Sequence, residues 1–382
     1  MIFSRDNQIA WGLALGATVA LGLARFAYAL LLPPMRTELL WTYALAGGMN
    51  TANALGYLCG ALLAGFAMKS FGTRHVFIGG LLLTALALIG SGFVDTYFWL
   101  LLLRCLAGIS GAVVFIAGGV LIAHAASNYP TRAATMLGTY YAGAGFGILL
   151  SGATLPFALE ANINWRSLWI ILGCTALIFG VLSSYVAWQL PDVKNNSSST
   201  TTWSAWRLKF SFLAYACFAL GYIAYMTFSV AFMKSKGATT PEIALFWATL
   251  GLSTMFAARI WSVPIVAWQG ARGLAAALAV VAIGAILSLF SSHVLIMLLS
   301  AICFGSFLSV VSATTALARR YLPTGAWSAG ITLFTIVFAA GQSIGPLISG
   351  WISDNAGGLQ IGLAWSAGVL VLGSLLALKQ PI

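Results

Sequence analysis

Twelve runs of about twenty apolar residues fill the chain, and no other feature limits its fold so severely. A helix of ~20 apolar residues crosses the ~30 Å hydrocarbon core of a bilayer, whereas a barrel strand alternates over ~10 residues. The runs lie at roughly 9–32, 43–68, 76–94, 97–123, 133–157, 167–189, 210–233, 243–268, 274–291, 294–318, 327–351 and 359–378. Their length and their Gly and Leu content predict helices. The expected fold class is an all-α integral membrane protein with twelve transmembrane helices. Only 7% of residues are charged and 61% are hydrophobic. A soluble domain carries ~25% charged residues, so this chain lacks the polar groups to cover a surface in water. The first run exceeds the apolar stretch of a cleavable leader and no small-residue cleavage site follows it, so the N-terminus is expected to be retained.

The net charge of +11 suggests nucleic acid until its distribution is read. With the N-terminus in the cytoplasm, eleven Lys and Arg fall in cytoplasmic segments and four, Arg36, Arg166, Lys234 and Lys236, in outer loops. That bias predicts both termini inside. The partners expected are the lipid bilayer and a small-molecule substrate, with no nucleic acid, and the chain reads as a monomer. The five cysteines lie singly inside spans, which points to small buried hydrophobes and to no metal or other cofactor.

PDVKNNSSSTTTWSAWRLKF (191–210) is the longest polar stretch. It divides the chain into residues 1–190, a cytoplasmic linker at 191–209, and residues 210–382, six spans on each side. Trp203, Trp206, Arg207 and Lys209 suggest a short segment lying at the membrane interface. The sequon at Asn195 would lie on the side where it is not glycosylated. The halves align at an offset near 198. GAGFGILLSG (143–152) matches GQSIGPLISG (341–350) at five of ten positions, Gly72 and Arg74 match Gly270 and Arg272, and Cys105 matches Cys303. Duplicated halves are a plan of secondary transporters, whose sites lie near the bilayer midplane.

These stretches carry a resemblance to the major facilitator superfamily over the whole chain. GFAMKSFGTR (65–74) resembles its G-x-L-A-D-[RK]-x-G-[RK]-[RK] loop, with Lys69 in place of the Asp. RCLAGISGA (104–112) is similar to its R-x-x-x-G-x-x-G motif. LARFAYALLLPPM resembles the first-helix signature of the YbfB/YjiJ-type branch. The resemblance implies two six-helix bundles, a bacterial cytoplasmic membrane, and a glycine-rich hinge in spans five and eleven (Gly143, Gly147, Gly345, Pro346). It links Arg104 to proton movement or helix packing, and Arg74 to gating. Span five has Ile148 where the antiporter hinge has Pro.

What both halves share is mostly fold, so what only one half has is a candidate for function. Three arginines lie inside spans, Arg25, Arg104 and Arg259, and none is repeated at the offset. All seven acidic residues fall in loops or at span ends. Charge at membrane depth is costly and usually faces a cavity or a partner, and guanidinium matches carboxylate or phosphate in bidentate geometry. An anionic solute is therefore expected, held by Arg25. Snorkelling of Arg25, helix-end carbonyls for Arg259, and structural packing for Arg104 are the alternatives. A proton route would use a rim carboxylate such as Glu38, Asp95 or Asp354.

Helical spacing adds candidates. Thr18, Gly22, Arg25 and Tyr28 share a face of span one; Asn50, Asn53 and Tyr57 of span two; Tyr215, Tyr222, Tyr225 and Ser229 of span seven; Thr335, Gln342 and Ser349 of span eleven. Each face reads either as cavity wall or as hydrogen-bonded glue between helices. The ladder Gly143, Gly147, Ser151 reads as the packing interface between halves. No HExxH or carboxylate pair at membrane depth occurs, so the chain is expected not to be an enzyme. The reading is an alternating-access secondary transporter of a small organic anion. The alternative is an efflux carrier for neutral or amphipathic compounds, proton-coupled or not.

Overall fold

The computed structural model describes residues 4–192, 204–291 and 293–380. Within them stand twelve helices long and apolar enough to cross a membrane. They are α1 (Arg5–Glu38), α2 (Tyr43–Phe71), α3 (Thr73–Ser91), α4 (Tyr97–Ser127), α5 (Ala133–Glu160) and α6 (Trp165–Trp188). Then come α7 (Lys209–Ser235), α8 (Thr240–Ala267), α9 (Arg272–Phe290), α10 (Val294–Tyr321), α11 (Trp327–Asn355) and α12 (Leu359–Leu378). They coincide with the twelve apolar runs in order and, apart from a few residues at the ends, in extent. All seven carboxylates lie in loops or at helix ends, as the sequence census expects.

Before α7 a short 3₁₀ turn, Ala205–Leu208, exposes Trp206, whose ring carries the Lys209 ammonium 4.2 Å from its centroid. Trp203 and Asn195 lie outside the described residues.

Contacts divide the chain into two compact units that do not follow the linker. One holds residues 4–40, 52–192 and 243–255; the other holds 41–51, 204–242 and 256–380. In the first, α1 is the central helix: 94% of its apolar window is buried, against 28% for α2. It lies against α4, α5 and α6, and α3 packs on α4 and α6. In the second, α7 takes the same place at 83%, lying against α11 and α12, while α9 packs on α10 and α12. The duplicated sequence thus gives each half one buried central helix.

Glycine lets these central helices be approached at backbone distance. A Cβ added at Gly147 of α5 would sit 2.6 Å from Gly22 Cα and 2.9 Å from Thr18 O, and one at Gly143 would meet the Ala14 carbonyl. At the same offset, Gly345 of α11 meets the Leu220 carbonyl of α7. The ladder expected between the halves therefore packs α5 onto α1 inside its own half, and Gly345 does the same on α7. Spacing by four shows that a close partner exists, not which helix it is. Other glycines do meet the other half: Gly145 and Gly152 pack on Gly251 and Trp247 of α8 within the first unit, and Gly47 and Gly350 pack on Pro346 and Tyr43 within the second. Gly147→Val is expected to cost ~1–3 kcal/mol, the usual price of overpacking a tight contact. The check is a lower melting temperature in detergent for this variant than for Gly138→Val, where nothing lies within 4 Å.

Among the described residues two helices break regularity, and neither break repeats in the other half. Thr18–Phe26 of α1 is π-helical, with Ala27 N–H donating to Gly22 O five residues back. Thr18 Oγ1 bridges Ala14 O at 3.0 Å and Gly143 O at 2.9 Å, anchoring the start of this turn to α5. In α10, helix stops at Phe304 and restarts at Phe307 across Gly305 and Ser306.

Candidate functional site

The irregular turn of α1 carries Arg25. Its side chain is only 4% exposed, and the guanidinium lies 5.2 Å from the Tyr57 ring centroid and 5.9 Å from that of Phe26. Cation–π contacts of this kind strengthen when desolvated, to ~2 kcal/mol. Snorkelling to the rim is not what is seen.

Arg104 serves this turn. It is 2% exposed, and Nη1 donates to the Ala24 carbonyl, one residue before Arg25. Its guanidinium lies 5.0 Å from the Tyr28 centroid and 5.5 Å from that of Trp169. Asn53 Nδ2 in turn donates to Arg104 O at 3.1 Å. Arg104 thus ties α4 to the irregular turn of α1. Tyr28, expected beside Arg25 on one wall, is fully buried beneath Arg104 instead. The 3.6-residue spacing that placed them together does not hold in and beside a π turn, where bonds span five residues.

The α2 stripe is split. Tyr57 faces Arg25 and Asn53 bonds to α4, both in the first unit, while Asn50 Nδ2 donates to Thr227 Oγ1 at 2.6 Å in the second. Asn50 and Asn53 act as the glue between helices that was the alternative reading.

In the second unit the tyrosines part company. Tyr222 donates to Gln342 Oε1 at 3.2 Å, and its ring stacks on Phe218, Phe307 and Phe338 at centroid distances of 4.7, 5.7 and 5.5 Å. Tyr225 points elsewhere, sharing a 2.9 Å hydrogen bond with Ser300 and packing on Phe304 at 4.2 Å. Phe304 and Phe307 flank the break in α10, where Ser306 Oγ accepts from Trp261 Nε1 at 3.0 Å. Sequence reasoning missed this break. Its only trace was CFGSF (303–307), a glycine and a serine in an otherwise apolar run. In transporters, helices interrupted at membrane depth mark binding regions. Ser349 bonds to Gly362 O of α12, and Thr335 only to its own helix, so neither joins Gln342. Arg259 is exposed on α8 and makes no ion pair with the described residues.

The gating candidates have definite partners. Glu38 accepts from Trp165 Nε1 at 2.8 Å and from Arg166, which reaches Asp95 at 3.8 Å, so this cluster clamps the end of α1 to the start of α6. Arg74 donates to the Leu190 carbonyl and lies 5.0 Å from the Trp188 centroid, while its backbone N–H donates to Asp192. It ties α3 to the end of α6. Asp354 is different. Its Oδ1 accepts from Tyr43 N–H at 2.8 Å and its Oδ2 from Ala44 N–H at 2.9 Å, capping α2 from the last turn of α11. Thr51 Oγ1 donates to Ser343 O at 2.7 Å, and Gly47 abuts the Pro346 carbonyl. Residues 43–51 are zipped to 343–354 inside the second unit.

A family model described as "Uncharacterised MFS-type transporter YbfB" matches residues 17–378. The chain belongs to this family. The transporter is also 28% identical over 195 residues to a Haemophilus influenzae protein named "Putative metabolite transport protein". That match covers 49% of this chain and 44% of the relative, so the chain spans under half the length of the curated relative it matches. Among solved structures, that of the nucleoside transporter NupG is similar at TM-score 0.75 and 12% identity, covering 99% of this chain and 100% of that one. A bacterial homologue of the human lysosomal transporter Spinster, inward-facing and occupied, gives 0.73 at 15% identity, covering 98% and 96%. These structures share the fold. The family and its structural neighbours are transporters, not enzymes, and the chain is a multi-pass membrane protein of the MFS type.

Proposed function

We propose that this transporter carries a small organic anion by alternating access, in a bacterial cytoplasmic membrane with both termini inside. The observation that carries this reading is Arg25. A guanidinium sits in the irregular turn of the most buried helix, held there by Arg104, while every carboxylate lies in a loop or at a helix end. Fixed charge at membrane depth is positive, and the Coulomb attraction between a buried cation and an anion is stronger than between the same pair in water. The metabolite transport protein that it resembles supports a metabolite as cargo. Residues 41–51 and 243–255, which each half lends to the other unit, are the segments that an alternating cycle has to release.

The test is a thermal-shift screen of the purified protein against carboxylate, phosphate and neutral metabolites. A ligand at about a hundred times its Kd stabilises the native state by ~2.7 kcal/mol. Anions are expected to raise the melting temperature of the wild type and to lose that effect in Arg25→Gln. Neutral compounds stabilising both proteins equally, with anions stabilising neither, would sink the reading.

A second reading rests on the aromatic wall of Phe218, Tyr222, Phe307 and Phe338. Stacked rings with one hydrogen-bonding pair, Tyr222–Gln342, suit a flat neutral or amphipathic solute, and the fold shared with a nucleoside transporter agrees with this. In the same screen, Phe338→Ala would then abolish stabilisation by flat neutral compounds while Arg25→Gln left it intact.

A further inference from the structure

A cavity of about 590 Å³ lies where the Ala267 end of α8, the start of α9 and the Tyr321 end of α10 converge, wholly inside the second unit. Its polar lining is Ser262, Ser312, Thr315, Arg319 and Arg320. The remainder is apolar, with Ile265, Leu274 and Leu317 among it, and no carboxylate lines it. Arg320 donates from Nη1 to Trp268 O and from Nη2 to Val266 O, both at 2.6 Å, which closes the C-terminal end of α8. A cation is favourable there because the last carbonyls of a helix carry partial negative charge. Arg319 beside it is exposed, with its guanidinium 5.8 Å from the Trp327 centroid. Among the described residues neither arginine forms an ion pair.

We propose that this cavity holds the headgroup of an anionic phospholipid. Arg319 presents a planar fork that matches a phosphate, and the Ser and Thr hydroxyls add donors beside it. Basic pockets between transmembrane helices are suited to anionic headgroups. The apolar wall points to an amphiphile rather than to a free anion, which would gain nothing from Ile265, Leu274 and Leu317. The adjoining face of α8 agrees, since Ile260, Val263 and Val266 are 67–71% exposed and Trp268 ends the helix as interfacial tryptophans do. A lipid lying along that face can set its headgroup in the cavity and leave its chains in the bilayer. The site is separate from Arg25 and from the Tyr222 wall.

The test uses the full chain in a mild uncharged detergent, with native mass spectrometry and melting temperature as readouts. The probes are phosphatidylglycerol, phosphatidylcholine and inorganic phosphate. Phosphatidylglycerol is expected to give a retained adduct and a rise in melting temperature; the other two probes are expected to give neither. Arg319→Gln is expected to weaken the adduct about fivefold, equivalent to the ~1 kcal/mol that one cation contributes at an anionic surface. Ala316→Phe keeps both arginines but fills the cavity, and is expected to abolish the adduct, while Lys69→Gln leaves it unchanged. Inorganic phosphate acting as strongly as the lipid would place a soluble anion there and overturn the proposal. So would wild-type lipid affinity in both Arg319→Gln and Ala316→Phe.

Discussion

Asp354→Ala is expected to loosen residues 41–51 within the second unit and to shift the transporter's conformational balance by about fivefold. The carboxylate accepts from the first two N–H groups of α2, which as helix N-terminal donors have no partner within their own helix. Removing an N-terminal cap costs ~0.5–2 kcal/mol. The group is exposed, which puts the figure in the lower part of that range, at ~1 kcal/mol. A change of ~1 kcal/mol is about fivefold in an equilibrium. The other contacts of the zipper, Thr51 on Ser343 O and Gly47 on the Pro346 carbonyl, remain in the variant, so the segment is expected to loosen without unfolding. Hydrogen exchange followed by mass spectrometry reads this directly. Peptides covering 41–51 should exchange faster in Asp354→Ala, to a lesser degree in Asp354→Asn, and the 343–354 peptides should follow. Peptides from α3 and α6 should not change. Unchanged exchange in 41–51 would show that the cap does not hold the segment. The initial rate of solute uptake into liposomes should move with the exchange, because a transporter in which one state is favoured too far turns over slowly.

The helices were legible because membrane helices are written in runs of apolar residues, and the bilayer enforces backbone bonding within each run. The duplication was legible too, but that its first helices, α1 and α7, are the most buried of each half is seen only in the structure. Backbone irregularities were not legible. A π turn is set by how Thr18, Gly22, Gly143 and Gly147 meet across two helices, and a 3.6-residue template passes over it. That is why Tyr28 was placed beside Arg25 rather than under Arg104. The split of the α2 stripe was hidden for a related reason: one helix contributes to both units, and periodicity along a helix cannot show where its neighbours change. The rim carboxylates were located correctly in depth, yet their roles depended on partners distant in sequence, Arg166 for Glu38 and the α2 amides for Asp354. Sorting residues by what the repeat omits singled out three arginines, of which Arg259 is exposed and two are buried. Arg25 and Arg104, absent from the second half, lie at the one π-helical turn among the described residues.

Arg104→Ala tests whether that pairing is functional, and melting temperature alone is a poor reporter of it. Removing a buried guanidinium forfeits a hydrogen bond to Ala24 O and two ring contacts, together several kcal/mol. It also relieves the desolvation of a buried charge, a cost of similar size. The two partly offset, but truncating so large a buried side chain also leaves a cavity, so the variant is expected to be less stable and the ligand-induced rise is the informative readout. Without its donor at Ala24, the turn is free to return to α-helical register, and a register change of one residue rotates a side chain by ~100° about the axis. Arg25 would then leave the Tyr57 face. Arg104→Ala is therefore expected to lose nearly all of the anion-induced rise in melting temperature, as Arg25→Gln does, and the double variant to lose no more than either. Such non-additivity is the mark of residues that act as one unit. Arg104→Lys should fail as well, since an ammonium keeps the charge but lacks the planar fork that donates to a carbonyl while lying between two rings. Full anion stabilisation in Arg104→Ala, or losses that add in the double variant, would separate Arg104 from the Arg25 turn and leave it as packing between α1 and α4.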